Sequence, residues 1–361
     1  MLNIDIIAGA RPNFMKIAPI IHAIYEFGED KIKYRLIHTG QHFDHKMSET
    51  FFEQLNIPKP DINLGAGGGT QAEQTAAIMI GYEKVIENQK SDICLVVGDV
   101  TSTMACAIVA KKAGIQVAHV EAGIRSGDLR MPEEINRLVT DSITDIFYTT
   151  SETANANLIN SGISKDRIRF VGNTMIDTLI ANLNRLQVPS VYKDELLESG
   201  QYFVLTLHRP SNVDEIEVLS GILKEVDSLC QGRKVIFPVH PRTLIKIKDG
   251  NLTFTNIVLV EPLGYLEFIY LVKNTMAVIT DSGGITEECT VLKIPCLTLR
   301  NSTERPETVT IGTNELIGSD ISKLRPAIEK VVRGQWKKGG IPALWDGETA
   351  KRIVEDFKLI A

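Results

Sequence analysis

Short apolar runs alternate with longer amphipathic stretches along the whole chain. Residues 4–8, 34–38, 93–97, 117–120, 146–149 and 168–171 are apolar and rich in β-branched side chains, so they predict a first series of strands. Residues 203–207, 235–239, 257–260, 277–280 and 296–299 predict a second series. Between them, apolar positions recur at helical spacing over 15–27, 71–88, 102–113, 132–142, 215–229 and 283–292. Strands apolar on both faces and separated by helices predict parallel sheets covered on both sides, an α/β fold. The polar stretch 189–200 lies between the two series and reads as a linker. A chain of 361 residues is long enough for two domains. The expected division is 1–172 and 173–345, with a last helix over 346–361 packing back on the first domain.

Both halves open alike. The first strand runs into Gly9-Ala10-Arg11-Pro12-Asn13, and the seventh into Leu207-His208-Arg209-Pro210-Ser211-Asn212. Proline suits the first helical turn, and an arginine just before it is placed to meet an anion. In open α/β sheets ligands sit at the carboxyl ends of strands, so two such halves predict a cleft between them. The segment Thr280-Asp281-Ser282-Gly283-Gly284 follows a buried strand and opens a helix. Ser282 suits the N-cap, the glycines admit a ligand close to the backbone, and free helix amides favour phosphate. Glu288 lies about one turn further on, where a carboxylate can accept both hydroxyls of a ribose.

The bulk numbers narrow the partners. A net charge of −6 argues against a non-specific nucleic-acid or anionic-membrane binder, so an anionic ligand needs local cations. Five cysteines without a CxxC pair read as free thiols of a reducing, cytoplasmic setting. No basic patch precedes the first apolar run and no stretch reaches membrane-span length.

Further polar groups cluster at strand ends: Asp99, Glu121, and His240-Pro241-Arg242. Each has a bland alternative. Asp99 could cap the helix that begins at Thr101, and Glu121 could pair with Arg125. Pro132-Glu133-Glu134-Ile135-Asn136-Arg137 is a helix start whose acids suit the dipole. Adjacent helical residues diverge by roughly 100°, so only one glutamate enters a site, and Glu133 is favoured over Glu134. Three acids, Asp99, Glu121 and Glu133, converging on one site would repel, raising at least one pKa and suiting acid–base work. His38, His42 and His45 are spaced tolerably for a metal, but no acidic partner accompanies them, so no metal is expected.

In order, these motifs resemble the non-hydrolysing UDP-N-acetylglucosamine 2-epimerase family. The resemblance runs from Gly9 through Thr39-Gly40-Gln41-His42, Gly98-Asp99-Val100-Thr101-Ser102-Thr103 and His119-Val120-Glu121-Ala122-Gly123-Ile124-Arg125-Ser126. It continues through Met131–Arg137, His208-Arg209 and Thr280–Glu288 to Thr303-Glu304-Arg305-Pro306-Glu307. It implies two Rossmann-like domains facing across a cleft in the glycosyltransferase-B arrangement, a homodimer, and neither metal nor nicotinamide cofactor. The implied reaction expels UDP to leave 2-acetamidoglucal and re-adds it after protonation on the other face. The resemblance assigns proton removal and return to Asp99, Glu121 and Glu133, and the diphosphate to Arg11, Lys16 and His208. Ser282, Gly283 and Gly284 would hold phosphate and Glu288 the ribose, with Arg209, His240, Phe268 and Arg305 completing the substrate set. The implied product serves cell-surface polysaccharide synthesis.

The chain departs from the family pattern in three places. Ala10 stands where many members have threonine, and Ser211 replaces the acid of the common His-Arg-x-Glu-Asn form. Glu73 precedes Gln74-Thr75 where activated members carry an arginine, which predicts no activation by a second substrate molecule, or a different activator. The approach Leu129-Arg130-Met131-Pro132 also resembles members acting on UDP-2,3-diacetamido-glucuronic acid, with Arg130 toward a C6 carboxylate. A hydrolysing epimerase or glycosyltransferase on the same scaffold is the other alternative.

Overall fold

The structure, a computed structural model, describes residues 1–40, 52 and 54–361. It divides into two compact units, residues Met1–Ala181 with Ala343–Ala361, and Asn182–Pro342. Each is a Rossmann-like α/β layer built on one parallel sheet.

The first sheet contains β1 (Leu2–Ala8), β2 (Ile32–His38), β3 (Ile62–Asn63), β4 (Ile93–Val97), β5 (Gln116–Val120), β6 (Ile146–Thr149) and β7 (Ile168–Phe170), in spatial order β3-β2-β1-β4-β5-β6-β7. The second contains β8 (Phe203–Thr206), β9 (Val235–Pro238), β10 (Ile257–Val260), β11 (Ala277–Thr280), β12 (Cys296–Thr298) and β13 (Asn314–Leu316), in order β10-β9-β8-β11-β12-β13. All paired strands are parallel. The period-2 geometry of a strand explains the continuous apolar runs, because both faces are buried. Phe203, Leu205 and Ile279 enter one core cluster, whereas Val204, Ile236 and Val278 enter another on the opposite face.

β3 and β13 escape a hydropathy reading because they are only 2 and 3 residues long. The stretch 189–200 is not a free linker: Val191 and Leu197 are buried in the second unit's core, and Ser190–Asp194 is a short helix. The helix Thr174–Asn182 is tied to the first unit by the Thr178 hydroxyl, which donates to the Met15 carbonyl at 2.5 Å. The last helix, Thr349–Ile360, packs on the helix Arg11–Phe27. Its N-terminus is held by Asp177, which accepts the Ala350 amide at 2.7 Å. Among the described residues, no helix is long and apolar enough to cross a membrane.

Strand order reverses direction between β1 and β4 in the first unit, and between β8 and β11 in the second. Loops diverge to opposite faces at such a point and leave a crevice at the carboxyl ends of the strands. Gly9 and Asp99 follow one pair of strands; His208 and Asp281 follow the other.

Candidate active site

In the first unit, Asn13 builds the turn after β1. Its Oδ1 accepts the Gly9 and Ala10 amides at 3.2 and 2.9 Å, and its Nδ2 donates to the Val97 carbonyl at 3.0 Å. That joins the ends of β1 and β4 and starts the helix Arg11–Phe27, with Arg11 at its first position. One turn on, Lys16 is ion-paired with Glu121.

Asp99 does not cap the next helix. The N-cap there is Val100, with no side-chain cap. The Asp99 carboxylate instead accepts Arg137 Nε at 3.0 Å and Nη2 at 2.5 Å, and its backbone carbonyl accepts Asn136 Nδ2 at 2.8 Å. Glu121 likewise does not pair with Arg125, which reaches Asp141 at 2.6 Å. Glu121 has a positive φ of 69°, uncommon for a residue with a side chain and a form of local strain found most often at functional sites. Gly98, with φ 69°, makes this close packing possible: a Cβ there would stand 3.1 Å from Lys16 Nζ and 3.2 Å from Glu121 Oε2. Asp99 and Glu121 are therefore neighbours with a cation each, and the picture of uncompensated, mutually repelling acids does not hold for them.

The helix Pro132–Ile143 separates its two glutamates. Glu134 is buried and accepts the Ser126 amide at 2.9 Å, the Gly127 amide at 3.1 Å and Arg137 at 2.8 Å. Burial alone would raise its pKa, but these hydrogen bonds outweigh it and the net shift is downward. Glu134 thus organises the loop before the helix. Glu133 is half-buried and makes no hydrogen bond or ion pair among the described residues. Arg130 is held by Asp128 at 2.8 Å on an exposed turn. Glu73, too, acts locally. It accepts the Thr70 amide at 2.8 Å while Thr70 accepts the Glu73 amide at 3.2 Å, a capping box at the start of Gln71–Asn88.

In the second unit Asp281 is the organiser that sequence reasoning missed. Fully buried, it accepts the His208 amide at 2.9 Å, the Arg209 amide at 2.9 Å and Asn212 Nδ2 at 3.0 Å. Buried carboxylates persist when donors surround them. The His208 ring opens to solvent from this turn. Partial desolvation lowers its pKa, the Asp281 carboxylate 3.9 Å away opposes that, and His240 adds to it. His240 itself is the N-cap of the helix Pro241–Asp249 and accepts the Arg242 amide at 3.3 Å.

The Ser282 amide donates to Thr280 Oγ1 at 2.9 Å, which removes it from the expected phosphate donors. The amides of Gly283 and Gly284, at the start of Gly283–Leu292, have no protein acceptor among the described residues. Space beside Gly284 is open, since a Cβ there would meet nothing within 4 Å. Arg300 grips Glu304 at 2.7 and 2.8 Å, Arg209 approaches Glu304 at 3.6 Å, and Arg305 pairs with Glu287. Phe268 lies half-buried on the helix Tyr265–Asn274, against the core.

Glu288 is 4% exposed, and its Oε1 has no hydrogen-bond partner among the described residues. The hydroxyl of Tyr265, which neighbours it, is also without a well-aligned partner. Burial pushes the Glu288 carboxyl up to about 8, the Tyr265 hydroxyl pulls it partly back, and Glu287 adds to the rise. A buried, under-satisfied carboxyl beside free helix amides suits a ligand that brings both hydroxyls and phosphate.

His38 is buried, stacks on Phe14 with ring centroids 5.2 Å apart, and accepts the Gly40 amide at 3.1 Å. Gln41, His42 and His45 lie outside the described residues. Among the described residues no group of three or more His, Cys, Asp or Glu side chains could hold a metal ion.

Comparison with known proteins identifies the family. The family model described as UDP-N-acetylglucosamine 2-epimerase matches residues 26–358. A UDP-N-acetylglucosamine 2-epimerase of Methanocaldococcus jannaschii is 41% identical over 365 residues, covering 98% of each chain. A UDP-2,3-diacetamido-2,3-dideoxy-D-glucuronate 2-epimerase of Pseudomonas aeruginosa is 36% identical over 361 residues, covering 98% of this chain and 99% of the relative. The crystal structure of the Methanocaldococcus jannaschii UDP-GlcNAc 2-epimerase in complex with UDP-GlcNAc and UDP superposes with a TM-score of 0.89 at 40% identity, covering 99% of this chain and 100% of that one. With two parallel Rossmann-like sheets and a match over nearly its whole length, this chain belongs to the UDP-N-acetylglucosamine 2-epimerase family.

Proposed function

We propose that the protein is a non-hydrolysing epimerase that interconverts UDP-N-acetylglucosamine and UDP-N-acetylmannosamine. The observation that carries this reading is the pair Asp99, which follows Gly98 and is paired with Arg137, and Glu121, whose carboxylate lies beside Gly98 and is paired with Lys16. A protein that only binds a UDP-sugar gains nothing from carboxylates near an anionic ligand. An epimerase requires them, because a proton must leave C2 on one face and return on the other.

The sugar C2–H has no adjacent carbonyl, so its removal must be coupled to departure of a leaving group. One carboxylate takes the C2 proton while the C1–O bond to the diphosphate breaks. The electron pair of the C–H bond becomes the C1=C2 double bond of 2-acetamidoglucal, and UDP leaves with the pair from the C–O bond. A second acid then protonates C2 from the opposite face, and a UDP oxygen re-forms the bond to C1. Glu133, half-buried and without a side-chain partner among the described residues, is the third acid in this scheme. In the second unit the Gly283 and Gly284 amides meet the phosphates, Glu288 takes the ribose diol, and His208 faces the departing oxygen. Arg11 and Lys16 add positive charge to the diphosphate.

A substrate with a C6 carboxylate receives no support from Arg130, which is exposed and engaged by Asp128. Five buried free cysteines fit work in a reducing cytoplasm. We also propose a homodimer, joined through exposed apolar residues Ile80, Ile135 and Leu138 on the helices Gln71–Asn88 and Pro132–Ile143; both helices pack on Thr101–Lys112. Sedimentation of Ile80→Glu as a monomer beside a dimeric parent would support this surface, and a dimeric variant would count against it.

The test of the activity is proton NMR of the purified protein with UDP-N-acetylglucosamine in D₂O. UDP-N-acetylmannosamine bearing deuterium at C2 is the expected product. Free N-acetylmannosamine would indicate hydrolysis instead, and no change in this substrate would overturn the assignment.

A further inference from the structure

β5 carries His119, whose ring is fully buried. Its Nε2 lies 2.8 Å from the carbonyl oxygen of Gly98, and its Nδ1 lies 2.7 Å from Asp141 Oδ1. A carbonyl oxygen can only accept, so Nε2 bears a hydrogen. Asp141 is an acceptor as well: its other oxygen takes the Gly123 amide at 3.1 Å and Arg125 at 2.6 Å. Burial would raise the pKa of Asp141, but the hydrogen bond and charge of His119, with Arg125, outweigh it and lower it. The ring therefore bridges the Gly98 carbonyl and the Asp141 carboxylate.

The two ends of the ring touch different parts of the acid pair. Gly98 immediately precedes Asp99, and its amide donates to Val120, the residue before Glu121, at 3.0 Å. Asp141 holds the Gly123 amide and thereby the turn in which Glu121 keeps its positive φ. We propose that His119, gripped by Asp141, is a positioning residue that fixes Asp99 and Glu121 relative to one another. The inference rests on the reading of these two acids as the proton-transfer groups. Two-face proton transfer depends on their mutual placement, and a displacement of about 1 Å can lower the rate by roughly a hundredfold.

Two measurements test it. In the intact parent protein with ¹⁵N-labelled histidine, NMR should show a slowly exchanging hydrogen on Nε2 of His119, identified by the signal lost in His119→Gln or shifted in Asp141→Asn. A ring without a hydrogen on Nε2 would overturn the proposal whether or not the variants fold, and whether or not the parent turns over UDP-N-acetylglucosamine. For active protein, both variants should lower kcat at least about tenfold with KM little changed. They should also alter the ratio of deuterium in recovered substrate to deuterium in product. A structural role that merely reduces the folded fraction lowers the rate and leaves that ratio as in the parent, and this outcome would sink the idea. An inactive parent whose His119 does carry the Nε2 hydrogen would refute the epimerase reading and, with it, the positioning role.

Discussion

Glu288 offers the sharpest quantitative test, because its burial couples nucleotide binding to a proton. The carboxyl is pushed up to about 8 by desolvation, with one oxygen lacking a hydrogen-bond partner among the described residues. At pH 7 it therefore holds a proton in roughly nine-tenths of molecules. To accept both ribose hydroxyls it must ionise, which costs about 1.4 kcal/mol at pH 7 and little above pH 9. Charge-assisted hydrogen bonds contribute about 1.5–3 kcal/mol each, so the ionised form still wins. UDP binding should then release close to ~0.9 proton at pH 7 and ~0.5 at pH 8, and affinity should rise about fivefold between those values. Calorimetric titration with UDP in two buffers of different ionisation enthalpy measures the proton count directly. Glu288→Gln provides the baseline, since protons belonging to UDP itself or to other side chains appear in both proteins. The variant should bind at least about tenfold more weakly and lose the extra release. Equal proton release in parent and variant, or affinity that falls from pH 7 to 8, would refute the reasoning.

Further outcomes follow from the same geometry. Because the folded-state pKa of Glu288 is raised from 4.5 to about 8, its contribution to stability is present below about 4.5 and lost as pH climbs through about 8. Urea unfolding at pH 6 and pH 9 without nucleotide should show Glu288→Gln losing less stability than the parent, by up to a few kcal/mol. Asp99→Asn or Glu121→Gln should cut turnover at least about a hundredfold while UDP titrations remain close to normal; near-normal turnover removes that residue from the proton-transfer scheme. Glu134→Gln should lower the melting temperature by leaving Arg137 and the Ser126–Gly127 amides poorly matched, whereas Glu133→Gln should spare stability and depress kcat. Gly98→Ala should destabilise the chain by about 1–2 kcal/mol through its positive φ. It should slow turnover as well, by pressing on Lys16 and Glu121, and denaturant titration with initial rates reads both effects.

Much of this architecture is written in local pattern. Apolar runs and helical periodicity are properties of neighbouring residues, so the strand–helix alternation and the placing of polar groups at strand ends were legible along the chain. The glycine pair opening Gly283–Leu292 and the Glu134–Arg137 spacing are equally local. The partners that define the candidate site are not. Arg137 meets Asp99 across 38 positions, the His208 amide meets Asp281 across 73, and Lys16 meets Glu121 across 105. Sequence spacing offered nearer alternatives for Asp99 and Glu121, a cap and an Arg125 pair, and the fold chose neither. A hydrogen bond depends on distance in space, and which distant residues become neighbours is decided when the strand order β1-β4-β5 and β8-β11 brings their carboxyl ends side by side. The burial that perturbs Glu288 and leaves its oxygen open arises in the same way, since desolvation is set by everything packed around a group and not by the residues beside it in the chain.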